Sequence, residues 1–362
     1  MRIAYVINST GFGGAECPVP SICRVLQESG HEVVVFALHK RDALALPAWK
    51  KAKLNVVVRS GNSKDHFSAL LWLYKNIQTY KPDLIWTSLI RSTLLGQIVG
   101  QTLRIPVVSW QHSEHLSFWN RILLYLRRQA SRLWIADSQS VADMTTRVLH
   151  IPHKKLMCWP IFRADPSHIA QPWQPGTPLR LGSLGRLHPV KGYDILLKAL
   201  SLLDSETFSI PFHVTIAGEG PEYQKLQYLI SHYNLQNHVT LTGFLQNPQP
   251  FLTSLHLYLQ PSLWEGFCIA AHEAMQVGLP VIASYVGELK YSVQNDETGW
   301  SVPPNNPIIL SNAIKNALHN PHLLAPMGSR AKAYIDQKFS PEIFTKNGNL
   351  VLQKIHTLTG LK

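Results

Sequence analysis

Charge is scarce in this chain. Asp, Glu, Lys and Arg make up 15% of its 362 residues, against 45% hydrophobic residues spread along its whole length. That composition excludes a mainly disordered protein and is enough for two separate cores. Long apolar runs are also missing: none approaches the roughly 18 residues of a spanning helix. The run Ile3–Ile7, preceded by one Arg, is too short for a secretory signal and reads as a first strand, so a cytoplasmic place is expected, at the inner face of a membrane if at any membrane. The four cysteines (Cys17, Cys23, Cys158, Cys268) form no CxxC and no Cys/His cluster with zinc spacing, which points to reduced thiols. A DxD tripeptide, a GxGxxG fingerprint, internal repeats and low-complexity segments are all absent.

Acidic residues are under-represented in one half. Residues 1–170 hold 21 Lys/Arg and 10 Asp/Glu, whereas residues 171–362 hold 13 and 12. A basic half beside a neutral half suggests an anionic partner: nucleic acid, an acidic membrane surface or a phosphorylated glycolipid. Plain solubility is the competing reading.

Strand-like runs alternate with amphipathic helical stretches. RIAYVI (2–7), EVVVFAL (32–38), NVVV (55–58), DLIWT (83–87), PVVSW (106–110) and RLWIAD (132–137) form one series. LRLGSLG (179–185), FHVTIAG (212–218), HVTLTG (238–243), LHLYLQP (255–261) and PVIAS (280–284) form another. Such alternation predicts βαβ units and parallel sheets. Between the series, ADPSHIAQPWQPGTP (164–178) carries four prolines and reads as a linker. The expected organisation is an α/β chain with an N-terminal doubly wound domain at 1–165, a Pro-rich linker at 166–178, a C-terminal doubly wound domain at 179–340 and a closing helix at 341–362.

Ligands of open parallel sheets bind beyond the carboxyl ends of the strands. Gly11, Gly13 and Gly14 follow the first strand and precede a helix predicted from about Ala15 to Glu28. They would let a phosphate approach the backbone, or simply make a tight turn. GRLHPVKG (185–192) sets Arg186 and Lys191 five residues apart, either as a phosphate clamp or as two solvated cations. PSLWEGFCIAAHEAM (261–275) places Glu265 and Glu273 eight positions apart, about 12 Å of rise if both lie on or beside one helix. That spacing suits two hydroxyl-bearing groups of one ligand better than a catalytic dyad. His112 follows PVVSW, with His115 as its rival; the two histidines with Glu114 would be an alternative metal site, but no further ligand is in view. The stretch 118–134 mixes Arg121, Arg127, Arg128 and Arg132 with Phe118, Trp119, Leu123, Leu124, Leu126 and Trp134. It predicts either an interfacial helix or a sheet-covering one.

On these residues the chain resembles the retaining glycosyltransferases of family 4. The second half carries the likeness in GRLHPVKG, AGEGPEYQKL (217–226), VTLTGF (239–244), PSLWEGFCIAAHEAM, GLPVIAS (278–284) and ETGWSVPP (297–304). The first half does so more loosely, in GFGGAE (11–16), KPDLIWTS (81–88), PVVSWQH (106–112) and IADSQSVA (135–142). The resemblance implies the GT-B fold, two Rossmann-like domains facing across a cleft, and transfer of a sugar from a nucleotide diphosphate to an acceptor hydroxyl. It implies diphosphate contacts by Arg186 and Lys191, ribose contacts by Glu273, and donor-sugar contacts by Glu265 with the backbone of Gly266, Phe267, Cys268 and Ile269. Gly243, Phe244 and Leu245 would lie near the base, Gly13 and Gly14 near the diphosphate, and His112 near the donor sugar. His112, Arg186, Lys191 and Glu265 are thus the implied catalytic set.

No cofactor and no metal are implied. The partners expected are the nucleotide sugar, a glycolipid or saccharide acceptor and an anionic membrane surface, with no nucleic acid. The chain departs from the family where SYVGE (284–288) stands for SDVGG and where CWPIF (158–162) replaces an Asn-Gly turn. Rival readings are another GT-B enzyme, such as a sugar-nucleotide epimerase or phosphorylase, and a catalytically inactive sugar-nucleotide-binding subunit.

Overall fold

The computed structural model describes residues 1–203 and 210–361. Its contacts divide the chain into two units: Met1–Arg163 with the chain from Pro341 onward, and Ala164–Ser340.

The first unit is built on seven strands: β1 (Arg2–Ile7), β2 (Glu32–Ala37), β3 (Asn55–Val58), β4 (Leu84–Ser88), β5 (Val107–Gln111), β6 (Leu133–Ala136) and β7 (Leu156–Cys158). They pair in parallel in the order β3-β2-β1-β4-β5-β6-β7. Strands buried on both faces need near-continuous apolar sequence, which is what these runs supply. Ala4, Val6, Ile85 and Val107 meet Leu73, Ile77, Leu95 and Val99 from the helices His66–Tyr80 and Ile90–Leu103.

An aromatic wall lies along the sheet. Tyr5 pairs in register with Trp86, and their rings stack at 6.4 Å. Trp86 tilts against Trp110 at 5.9 Å, and Trp110 stacks on Trp159 at 4.9 Å. Phe344, on the helix Pro341–Thr359, closes the wall against Trp159 at 5.2 Å. That packing groups the last helix with the first unit.

The second unit holds six parallel strands: β8 (Leu179–Leu184), β9 (Phe212–Ala217), β10 (Val239–Gly243), β11 (Leu257–Gln260), β12 (Val281–Ser284) and β13 (Gly299–Val302). Their order is β10-β9-β8-β11-β12-β13. In each sheet the order reverses direction once, beside β1 and β4 in the first and beside β8 and β11 in the second. The Pro-rich segment is tied to the second unit: Ala170 N–H donates to Val277 O at 2.7 Å, and Trp173 packs on that unit's core.

Several expectations are corrected. The first helix starts at Val19, because residues 14–18 form turns and Pro18 and Pro20 suit only a helix start. The stretch 118–134 is a ten-residue helix, Phe118–Arg127, followed by a 3-10 turn and then β6. Strands β7 and β13 escape the sequence reading. Both are edge strands of three or four residues; β7 has no β-branched residue and β13 mixes Gly and Ser with its apolar residues, so neither carries a strand signal.

Candidate functional site

The second unit gathers the polar residues at the carboxyl ends of β8 and β11. The 3-10 turn Pro189–Lys191 follows β8, and Gly192 at φ +63° ends it. Leu263 N–H donates to Val190 O at 2.8 Å, which sets the turn against the loop after β11. Lys191 Nζ then donates to Glu265 Oε1 at 2.6 Å, with side-chain exposures of 20% and 10%. Ser262 Oγ donates to the same oxygen at 2.6 Å and Gln260 Nε2 at 3.3 Å. Gln260 also donates to Ser262 at 2.7 Å and accepts from the Tyr258 hydroxyl at 3.2 Å. A continuous chain thus runs from the core residue Tyr258 to the ammonium of Lys191. All three bonds to Glu265 fall on Oε1, so the carboxylate is fixed in orientation.

Burial disfavours the charge of Lys191, but Glu265 outweighs it and holds the lysine pKa above its usual value. The ammonium therefore stays charged at any working pH. Arg186 is exposed, at the mouth of the same loop. Three loops lie shoulder to shoulder here: Gly218 N–H donates to Gly243 O at 2.7 Å, and Leu187 N–H donates to Glu219 O at 2.8 Å. Gly218 has no substitute, since a Cβ there would overlap the Gly185 carbonyl. The Gly218 loop thus stands between the loop of Gly243, Phe244 and Leu245 and the Arg186 loop.

Glu265 and Glu273 do not share a helix: Glu265 lies before its start, so the helical rise alone does not set their span. The helix is Ile269–Gln276, and the chain turns through Cys268 at φ +67° before it. A φ above zero is costly for a residue with a side chain. Two contacts hold the bend. Glu288 N–H donates to Gly266 O at 2.9 Å, and Gly287 at φ +54° packs so close to Gly266 and Glu265 that a side chain would collide. SYVGE thus braces the Glu265 loop.

Phe267 is buried, its ring 4.1 Å from that of His272, so only its backbone remains for a ligand. His272 bonds Cys268 O through Nδ1 at 2.9 Å and Ser292 Oγ through Nε2 at 2.7 Å. Burial lowers its pKa to about 4, so it is a neutral brace. Burial likewise raises the Cys268 thiol, which stays protonated. The Glu273 carboxyl is desolvated and pushed up to about 7.

In the first unit, His112 lies just beyond β5 and stacks on Trp110 at 5.6 Å. Its Nε2 is 2.7 Å from Ser88 Oγ at the end of β4, and its Nδ1 is 3.3 Å from Asp137 Oδ2 beyond β6. Among the described residues Nδ1 has no hydrogen-bond partner, so the ring is held by its contact with Ser88. Both ring nitrogens face protein groups, which leaves a His112–Glu114–His115 metal site without its first ligand. Among the described residues no group of three His, Cys, Asp or Glu is placed to hold a metal.

Gly13 accepts from the N–H groups of Glu16 and Cys17 through its carbonyl, at 3.1 and 2.9 Å, while Gly14 is exposed. The helix begins five residues after Gly14, so its N-terminus does not follow the glycine turn directly. Glu16 is buried and accepts from Ser9 Oγ at 2.9 Å; burial raises its pKa. Sequence reading missed Ser88, Asp137, Tyr258, Gln260 and Ser262. All but Ser262 lie in or immediately after strands, and Ser262 follows one by two residues, a positional signal that residue type alone did not carry.

Comparison with known proteins finds two family models, each matching under half of the chain. Residues 166–334 match the family model "Glycosyl transferases group 1" and residues 12–162 match "Glycosyltransferase Family 4". The putative colanic acid biosynthesis glycosyltransferase WcaL of Escherichia coli is 28% identical over 190 residues, 50% of this chain and 46% of that protein. The poly(ribitol-phosphate) alpha-N-acetylglucosaminyltransferase of Staphylococcus aureus is 29% identical over 166 residues, 45% of this chain and 33% of that protein. The chain therefore spans under half the length of these curated relatives. An uncharacterized glycosyltransferase of Haemophilus influenzae aligns over 91% of this chain and 93% of its own length at 21% identity. In fold, the chain matches the crystal structure of Anabaena HepE in complex with UDP-glucose at a TM-score of 0.84 and 21% identity, covering 98% of this chain and 99% of that one. The fold is GT-B, and the matches together support a group 1 glycosyltransferase.

Proposed function

With a group 1 glycosyltransferase as premise, we propose that this chain is a retaining, metal-independent enzyme that moves a sugar from a nucleotide-diphosphate donor to an acceptor hydroxyl. The product would be a cell-surface glycolipid or polysaccharide. The observation that carries the reading is the Tyr258–Gln260–Ser262–Glu265–Lys191 chain at the point where the second sheet reverses its order, the place where α/β sheets bind ligands.

Lys191 gives one ammonium proton to Glu265 and keeps two for a phosphate. Arg186, exposed on the same loop, reaches a second phosphate oxygen. The N–H groups at the start of the helix Ile269–Gln276 favour the same negative charge. As the bond from the anomeric carbon to the phosphate oxygen breaks, charge grows on the leaving diphosphate, and these groups stabilise it. The acceptor oxygen bonds to the anomeric carbon on the same face, and its proton passes to the departing phosphate. No carboxylate nucleophile is invoked, since Glu265 is pinned by three donors. Its other oxygen serves sugar hydroxyls, and Glu273 serves those of the ribose. In the first unit the backbone of His112, whose ring nitrogens face Ser88 and Asp137, lies near the donor sugar, while Gly13 and Gly14 give a phosphate access to backbone. The acceptor is an anionic glycolipid or saccharide, to match the basic first half.

The purified chain, incubated with a panel of nucleotide sugars, should release nucleoside diphosphate and raise its melting temperature with one base and sugar above the rest. A panel without any shift or turnover overturns the reading. Glu265→Gln should leave nucleoside diphosphate affinity within about threefold and lower transfer by about 10²-fold or more. Calorimetry showing lost nucleotide binding instead would reassign Glu265.

Metal-independence rests on the missing DxD and on the engaged ring of His112. Transfer should survive excess EDTA with its rate unchanged. Loss on chelation, restored by Mg²⁺ or Mn²⁺, contradicts it.

A further inference from the structure

The helix Phe118–Arg127 sits on the first unit by a single buried residue, Leu124, which packs with Trp134, Leu149 and Ile151. Its opposite side carries Phe118, Trp119, Ile122, Leu123 and Leu126, spaced i, i+1, i+4, i+5 and i+8, a single stripe of an α-helix. That stripe faces solvent: Phe118, Trp119 and Leu126 are each 69% exposed and Leu123 is 43% exposed. Single exposed apolar residues need no explanation, but a contiguous stripe of large ones marks an interaction surface.

The surroundings indicate what covers it. Between residues 115 and 163 the chain has eight Lys/Arg and two Asp/Glu, and one of the two acids, Asp137, is buried at His112. Arg121, Arg132, Arg147 and Lys154 are exposed. Arg128 lies over the Tyr125 ring at 4.0 Å and bonds Tyr125 O, and Arg127 bonds Gln101 at 2.6 Å. Those two arginines are tied to the protein, whereas Arg121 and Arg132 stay available for an outside anion.

We infer that this helix is a docking face for an anionic lipid bilayer, its Phe118–Trp119–Leu123–Leu126 stripe entering the acyl boundary and the surrounding cations meeting lipid phosphates. An apolar stripe with a tryptophan at its edge and a basic rim is the pattern of a helix lying in a membrane interface. A protein partner would instead need acidic side chains around an apolar groove, whereas a bilayer supplies negative charge in every direction around the inserted face. The inference stands apart from the donor-site reading, which uses none of these residues.

The test is co-sedimentation of the full chain with phosphatidylcholine vesicles containing phosphatidylglycerol, beside vesicles of phosphatidylcholine alone. Wild type should bind the anionic vesicles, weaken as salt rises, and bind neutral vesicles at least about tenfold more weakly. Trp119→Glu with Leu126→Glu should lower partitioning by about tenfold or more, with nucleoside diphosphate binding and melting temperature unchanged. Arg121→Gln with Arg132→Gln should lower it by about tenfold while leaving a residual, salt-insensitive part. Brominated lipid should quench tryptophan emission in wild type and less in Trp119→Phe. Anionic vesicles ignored at low salt, equal binding to neutral vesicles, or binding that survives the double Glu variant each overturns the inference. So does a solution dimer that the double Glu variant dissociates while vesicles leave wild type untouched; the stripe would then be an interface between copies.

Discussion

Lys191→Ala should cut sugar transfer by about 10²-fold or more, the scale of removing a preorganised electrostatic group from a reacting centre. The same change should weaken nucleoside diphosphate binding while leaving the bare nucleoside nearly unaffected. Lys191 has a second job, however, because it neutralises Glu265 at 2.6 Å in a mostly buried setting. Its loss leaves a carboxylate without its countercharge, though still bonded by Ser262 and Gln260. A fully buried pair broken in this way costs about 3–5 kcal/mol, and the residual exposure here places the cost below that. Stability and catalysis would then fall together, so the single variant needs a companion. Lys191→Ala with Glu265→Gln removes the stranded charge and should recover much of the melting temperature. If Lys191 acts on the leaving phosphate, the double variant stays inactive and phosphate-blind. Recovery of diphosphate affinity along with stability would reduce Lys191 to a structural partner of Glu265. Arg186→Ala should cost less, about tenfold, because an exposed guanidinium is already solvated and screened.

How much of this was legible in the sequence depends on what each residue's role requires of its neighbours. The sheets were legible because a strand covered on both faces must be apolar throughout, as EVVVFAL and FHVTIAG are. Edge strands are under no such demand, and Leu156–Cys158 and Gly299–Val302 are too short and too poor in β-branched residues to stand out. Lys191 and Glu265 could be singled out as charged residues in glycine-flanked loops. Their direct bond could not, because 74 positions separate them and only the pairing of β8 with β11 brings their loops together. Glu265 and Glu273 misled for a related reason. Eight residues give a fixed distance only if the helix is unbroken, and the bend before it is held partly by residues 287 and 288, distant in sequence from Glu265 and Gly266. The helix Phe118–Arg127 shows the same limit in reverse. Its amphipathic pattern is plain, but which side turns inward is decided by Leu124 fitting among Trp134, Leu149 and Ile151.

Nucleotide affinity should rise with pH through about 7 and then level off, because Glu273 must be ionised to accept both ribose hydroxyls. Desolvation lifts its carboxyl from the usual 4.5 to about 7. At pH 6 about a tenth of the free protein then carries the carboxylate, so a ligand that needs it binds about tenfold more weakly than at pH 8. The sign for stability is the opposite. A carboxyl whose folded-state pKa exceeds its unfolded one contributes stability that is fully present below about 4.5 and lost as pH rises through about 7. By pH 8 the loss is at most about 3 kcal/mol, from the separation of the two values. The unliganded chain should therefore melt lower at pH 8 than at pH 6, and bound nucleotide should narrow the gap by supplying hydroxyl donors to the buried charge. Glu273→Gln isolates the group. It should flatten both profiles across this range, melt above wild type at pH 8, and bind nucleotide about tenfold more weakly there, since a neutral amide oxygen accepts less strongly than a carboxylate. Calorimetry on the pair at pH 6, 7 and 8 reads all of this. A wild-type affinity profile that stays flat while Glu273→Gln still loses affinity would mean that the protonated acid already holds the ribose, as donor to one hydroxyl and acceptor from the other. An unchanged affinity in Glu273→Gln at every pH would remove Glu273 from the site and leave its raised pKa as a consequence of packing alone.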